Sequence, residues 1–138
     1  MSYPTRKEIL DNLTAPNEGA VKLLKEWTKS SWKLAKTNGE QAKINSLKVL
    51  INYLAKIYKK PVRCVYEPEA SSCCYNIHLK TIFLNNSLSI LSSLHEFGHH
   101  LHGSSELSAC TWSVSLFKVA LPKAYSKLKW KGHLLIRR

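Results

Sequence analysis

Four of the six histidines in the 138-residue chain lie within eight positions, in the stretch LHEFGHHLHGSSEL at residues 94–107. His95, Glu96 and His99 form the pattern H-E-x-x-H. Side chains four residues apart leave the same face of an α-helix, so both imidazoles can bind one zinc ion. Glu96 lies about 100° around the helix from His95 and can instead reach a water on the metal. The pattern therefore predicts metal-assisted hydrolysis, in which zinc lowers the pKa of the water and Glu96 takes its proton.

A third metal ligand is expected, because catalytic zinc usually has three protein ligands and one open position. Residues 70–138 contain only two acidic side chains, Glu96 and Glu106, against eight lysines and arginines. Glu106 follows a glycine that should end the helix and turn the next one back toward the histidines. His102 competes for this place, but three ligands from one straight helix suit a tetrahedron poorly. Glu106 could also serve only to favour the N-terminal dipole of its own helix.

The other histidines carry weaker predictions. His100 is expected to point away from the metal and to be exposed, and His78 is a candidate to line the cleft. His133 lies in the C-terminal tail and predicts nothing by itself. The alternative for the whole stretch is a surface helix with scattered histidines, since any short motif also arises by chance.

The chain has 21 lysines and arginines against 9 acidic residues, a formal charge of +12. This excess favours nucleic acid, acidic proteins or anionic lipid as neighbours, and the alternative is a lysine-rich solvated surface. The lysines look scattered along helices and are not clustered with aromatic residues. The sequence has no apolar run long enough for a membrane span and no secretory signal, so a cytoplasmic location is predicted.

The four cysteines do not form a C-x-x-C pair, and Cys73 and Cys74 are adjacent, which suits one tetrahedral zinc poorly. Buried thiols are expected, and a disulfide involving Cys64 stays open.

Periodicity predicts one α+β domain over residues 1–138. Its parts are a helical segment (1–60), a sheet with the zinc-site helices (61–122) and a basic tail (123–138). The predicted helices span 14–37, 40–60, 88–102 and 105–120, and Pro122 should close the last one. Two or three antiparallel strands are expected within 62–66 and 73–85, with Tyr75, Ile77 and Leu79 on one face. The tail is expected to be helical to about residue 131 and then loosely held.

The segment HEFGHHLHG followed by SELSAC resembles the gluzincin metallopeptidases, and in style the small ImmA/IrrE-type proteins, over residues 75–122. In those proteins an H-E-x-x-H helix precedes a helix with an E-x-x-A pattern, which Glu106 and Ala109 match. The resemblance implies a minimal zincin-like domain in which His95, His99 and Glu106 bind zinc and Glu96 is the general base. The SprT-like proteases, which act on DNA-bound proteins, also share H-E-x-x-H and a basic character, but their further histidine has no clear counterpart here.

In the zincin pattern, the strand before the active helix pairs with extended substrate at the cleft, a place that residues 79–84 would take. Tyr75, Tyr125 and His78 are candidates to stabilise an oxyanion. The predicted function is a zinc peptidase whose protein or peptide substrate is acidic or sits on nucleic acid. Two alternatives stay open: a non-catalytic metal-containing basic module that binds nucleic acid or a protein, and a helical protein without metal.

Overall fold

The computed structural model describes residues 3–138 and has, over this range, a mixed α+β fold of six helices and two small sheets, which confirms the predicted α+β class. The second helix contains one π-helical turn, Thr28–Trp32, between its two α-helical parts. The helices are α1 (Arg6–Asp11), α2 (Glu18–Trp27, continuing to Lys33–Ala35), α3 (Glu40–Tyr58), α4 (Ile90–His102), α5 (Glu106–Ala120) and α6 (Pro122–Ser126). The strands are β1 (Arg63–Tyr66), β2 (Cys74–Asn76), β3 (Thr81–Leu84), β4 (Leu128–Lys131) and β5 (Leu134–Arg137).

The N-terminal part differs from its prediction in two ways: one helix begins later than predicted, and an additional short helix precedes it. The helix predicted from residue 14 begins at Glu18, because the Asn17 side chain caps it by accepting from the N–H of Ala20 at 3.0 Å. The short helix α1 was not predicted at all. Thr5 and Glu8 form a reciprocal capping box at its start, which is a sufficient local reason for this turn to form.

The three-stranded sheet has the order β1-β3-β2, with β1 parallel and β2 antiparallel to β3. The expectation of purely antiparallel strands is therefore wrong. After β1, at one edge of the sheet, the chain crosses to the opposite edge and forms β2. It then returns between the two and forms the central strand β3. The predicted alternation also stops at Asn76, whose side chain accepts from the N–H of Leu79 and starts a turn, so Ile77 and Leu79 are exposed.

One main hydrophobic core lies between this sheet and the helices α2, α3, α4 and α5. Ile82 and Leu84 of the central strand are fully buried, and they share the core with Leu94 and Phe97 of α4. Central strand and histidine-bearing helix are thus fixed against each other by apolar packing, the largest favourable contribution to a fold of this size.

The C-terminal segment is a β-hairpin, so the predicted helical and loosely held tail is wrong. Strands β4 and β5 pair antiparallel through the two-residue loop Gly132-His133. Gly132 has φ +62°, which suits the first central position of a type II′ turn. Trp130 and Leu135, one on each strand, pack against a second small core made by Ile9, Cys110 and Val114. The preceding helix ends at Ala120 as predicted, because Leu121, the residue before Pro122, is held out of the helical conformation; Pro122 then occupies the first turn of α6.

None of the four cysteines is in a disulfide, and Cys74 is exposed, contrary to the expectation of buried thiols for all four. Within residues 3–138, every helix is too short or too polar to cross a bilayer.

The helices α4 and α5 approach each other closely at Gly98. A Cβ atom built on Gly98 would lie 3.0 Å from the carbonyl oxygen of Ala109 and 3.1 Å from its Cα. The glycine inside the H-E-x-x-H helix is therefore explained by the close backbone of the neighbouring helix.

We expect Gly98→Ala to weaken zinc binding by about tenfold or more, because the added methyl group pushes α5 away from α4. Alanine favours a helix by about 1 kcal/mol over glycine, so a free helix would gain stability from the same change. Thermal unfolding of the metal-free protein and a competitive zinc titration separate the two effects, with Gly98→Val as a more severe variant. A higher melting temperature combined with unchanged zinc affinity would show that the helices tolerate the methyl group.

Candidate metal centre

The three residues of the H-E-x-x-H pattern lie on the cleft side of α4. Ser89 caps the helix by accepting from the N–H of Ser92, and Leu94, Phe97 and Gly98 form its buried side. His95, Glu96 and His99 are left half-buried along a cleft of about 720 Å³. A cleft of this size is in the range that binds small molecules or segments of peptide.

Glu106 contacts both histidines from the first turn of α5. One carboxylate oxygen lies 2.8 Å from Nε2 of His99, and the other lies 3.2 Å from Nε2 of His95. Among the described residues, no lysine or arginine forms an ion pair with this carboxylate. In a chain with 21 lysines and arginines, Glu106 thus contacts two imidazoles and forms no ion pair with a described lysine or arginine.

The turn between the two helices also orients His99. Gly103 adopts φ +80°, and its carbonyl oxygen accepts from Nδ1 of His99 at 2.8 Å. This hydrogen bond leaves Nε2 directed at Glu106, as in metal sites where a backbone carbonyl fixes the ligand tautomer. The corresponding Nδ1 of His95 lies 3.8 Å from the buried thiol of Cys110, a much weaker partner.

Burial favours the neutral forms of His95 and Glu96 in the cleft, so it shifts their pKa values in opposite directions. It lowers the pKa of His95, which the nearby Glu106 carboxylate partly offsets, so the neutral, metal-binding form of the imidazole is favoured. Burial raises the pKa of Glu96 to about 7, helped by Glu106 and opposed by His99 and a backbone hydrogen bond from Tyr75. Glu96 can therefore exchange a proton close to neutral pH, as a general base must.

Two elements border the cleft above these residues. Cys73, Cys74 and Tyr75 line it from β2 and the residue before it, and His133 and Leu134 line it from the hairpin tip. His133 stacks on Tyr3 with ring centroids 4.3 Å apart. The sequence pattern predicted no role for His133. The Gly-His pair between two segments of alternating apolar residues is the signal that could have placed this residue at the tip of a hairpin.

The remaining candidates lie outside the metal cluster. His100 is half-buried, which corrects the expectation of an exposed ring: its two nitrogens bond the Tyr75 hydroxyl at 2.8 Å and the Lys60 carbonyl at 2.9 Å. His102 is exposed and lies beside a second, smaller cavity. His78 is exposed in the turn after β2, and the cleft-lining residues include neither it nor Tyr125.

The donor set fits a metal ion. One ligand atom each from His95, His99 and Glu106 lies within 4.8 Å of the other two, and this is the one such group among the described residues. Two imidazoles and a carboxylate are a known ligand set of catalytic zinc, which leaves a fourth position open. His102, the competing third ligand from the sequence, is not part of the group.

Comparison of the chain with models of protein families, with curated proteins and with solved structures finds no significant match.

We expect the purified protein to bind a stoichiometric amount of zinc, and Glu106→Ala to lose most of it because one of three ligands is removed. His102→Ala is the matched control and should keep the metal, since its side chain is exposed and outside the cluster. Elemental analysis of the three proteins after dialysis measures this directly. Loss of zinc from His102→Ala with retention in Glu106→Ala would contradict the assignment of the third ligand.

Proposed function

We propose that this protein is a zinc-dependent peptidase, with His95, His99 and Glu106 as ligands and Glu96 as general base. One observation carries the proposal. The two acidic residues of positions 70–138 converge in one cleft, Glu106 on the two imidazoles and Glu96 beside them. Holding two half-buried carboxylates close together without a lysine or arginine is unfavourable, and a bound cation would relieve this cost.

The chemistry assigned to the chain is proton transfer and positioning. Bound by the three ligands, a zinc ion would acidify a water and polarise the substrate carbonyl. Glu96 accepts one proton from the attacking water as its oxygen bonds to the carbonyl carbon. Glu96 then returns that proton to the amide nitrogen as the carbon–nitrogen bond breaks, so the products are one carboxylate-bearing and one amine-bearing fragment.

The edge strand β2 is the better place for an extended substrate than residues 79–84. Within that segment, β3 is the central strand and pairs with β1 and β2, so its backbone has no free side. β2 has a strand partner on one side only and lines the cleft. A peptide laid along this edge would pass over Glu96 while forming backbone hydrogen bonds.

His133 is proposed to donate a hydrogen bond to the oxyanion, in place of the three candidates from the sequence. The Tyr75 hydroxyl is already bonded to His100, and His78 and Tyr125 are not among the cleft-lining residues. His133 lines the cleft from the tip of a short hairpin whose two strands are anchored by Trp130 and Leu135. A donor held on a paired and packed element is the kind of arrangement that stabilises developing charge.

We expect Glu96→Gln to keep zinc and to lose peptidase turnover by about a thousandfold or more, because glutamine cannot accept the proton. The measurement uses a mixture of unfolded peptides and identifies new termini by mass spectrometry. The wild-type and Glu96→Gln proteins are purified in parallel, so a contaminating protease would act in both samples. Zinc binding without cleavage by the wild type would instead favour the non-catalytic metal-containing module.

We expect His133→Ala to lower kcat by about tenfold to a thousandfold with a smaller change in KM, because the lost donor acts on the transition state. His133→Gln should recover part of this activity, since its amide can also donate a hydrogen bond. The matched control His78→Ala, an exposed histidine outside the cleft, should leave kcat unchanged. An effect on KM alone, or equal losses in Tyr3→Ala and His133→Ala, would assign the ring a packing role.

A further inference from the structure

Five lysines form a row on the exposed side of α2. Their spacing along the chain is three, four, four and three residues, which places successive side chains next to one another on a helix. We call this set, in which every member is exposed, the lysine row: Lys22, Lys25, Lys29, Lys33 and Lys36. The lysines that looked scattered in the sequence are thus aligned over about 20 Å of helix.

The lysine row is not neutralised within the described part of the chain. The one lysine–carboxylate ion pair found there joins Lys7 to Asp11, on α1. Glu26 lies four residues after Lys22 and three before Lys29, yet forms no ion pair with either. Like charges at these spacings repel and destabilise the helix, so folding alone gives no reason for the row.

The opposite side of α2 is firmly anchored, which holds the row in place. Leu24 is fully buried, and Trp27 is buried and donates from Nε1 to the carbonyl oxygen of Ser46 at 2.9 Å. Trp32 stacks on Trp27 with ring centroids 5.3 Å apart. The charges are therefore presented on a preorganised surface, which lowers the entropic cost of binding a partner.

We propose that the lysine row binds the phosphate backbone of nucleic acid without reading its sequence. A nucleic acid backbone carries regularly spaced negative charges, which a straight row of ammonium groups can follow over several phosphates. Lysine provides point charges and no planar fork for base edges, and both tryptophans of α2 are buried and unable to stack on bases. These features match contacts that position a protein on the backbone and carry no base specificity.

The same helix is poorly suited to an anionic membrane surface. Interfacial helices bury a continuous apolar face in the lipid, whereas the apolar side of α2 packs in the main core. Leu34 is the one large apolar side chain of α2 that is exposed, and a single leucine is a weak anchor. Acidic vesicles therefore serve as a comparison in the test.

The experiment measures binding of the full-length protein to a random-sequence DNA duplex of about 20 base pairs, at salt concentrations from about 50 to 200 mM. The row variant replaces Lys25, Lys29 and Lys33 with glutamine, which has nearly the same helix propensity as lysine. The control variant replaces Lys59, Lys123 and Lys129 with glutamine. These three lysines are exposed and lie outside α2, so the control and row variants have the same net charge. Circular dichroism checks that both variants are folded.

We expect the row variant to bind duplex at least about tenfold more weakly at low salt, and its slope of log affinity against log salt to fall by about 3. The control variant should lose much less, and two duplexes of different sequence should bind equally. The proposal would be overturned if both variants lost equal affinity for the duplex, or if the wild type did not bind the duplex at all. It would also be overturned if the lysine row were needed for binding to phosphatidylserine vesicles while the duplex was not bound. Zinc chelation should leave duplex binding unchanged, so this proposal and the peptidase proposal can fail separately.

Discussion

The candidate metal centre depends on the close approach of two consecutive helices that are joined by three residues. Gly98 offers no Cβ toward the backbone of Ala109, so α4 and α5 pack closely enough for Glu106 to contact His95 and His99. The same short turn supplies the Gly103 carbonyl that orients His99. The position and the orientation of the candidate ligands therefore both come from two closely packed helices joined by a three-residue turn. No long loop has to be ordered, so the entropic cost of such ordering is avoided.

The electrostatics of the cleft follow from this packing. A carboxylate shielded from water normally finds a lysine or arginine, and this chain has 21 such residues, yet half-buried Glu106 contacts imidazoles. Burial lowers the pKa of His95 and raises that of Glu96, so the site favours a neutral ligand and a weakly acidic carboxyl group side by side. Desolvation is the main cause of both shifts, and it favours a neutral imidazole that can bind a cation and a carboxyl group that can exchange its proton near neutral pH.

Features that follow from helical periodicity were predictable, whereas the short capped helix α1 and the features fixed by tertiary packing were not. The pairing of His95 and His99 follows from helical periodicity, and Glu106 stood out because acidic residues are rare near it. The strand order could not be read from the sequence, because a parallel pairing of β1 with β3 depends on the path of the intervening loop. The hairpin was missed because the many lysines of the tail obscured an alternating pattern, and its apolar members Trp130 and Leu135 pack against a small core formed by residues distant in the sequence.

The two proposed activities use separate parts of the fold that meet in the core. Of the described residues that line the cleft, none belongs to α2 or α3, whereas α2 carries the lysine row on its exposed side. Helix α5 connects the two, since it contributes Glu106 to the cleft at one end while it also packs against α2 and carries Leu116 and Phe117 in the main core. Nucleic acid on the row would therefore not compete with a peptide in the cleft. A second protein bound to the same nucleic acid would have a raised effective concentration at the cleft. The lysine row would then influence which substrate is cleaved, although none of its lysines contacts the scissile bond.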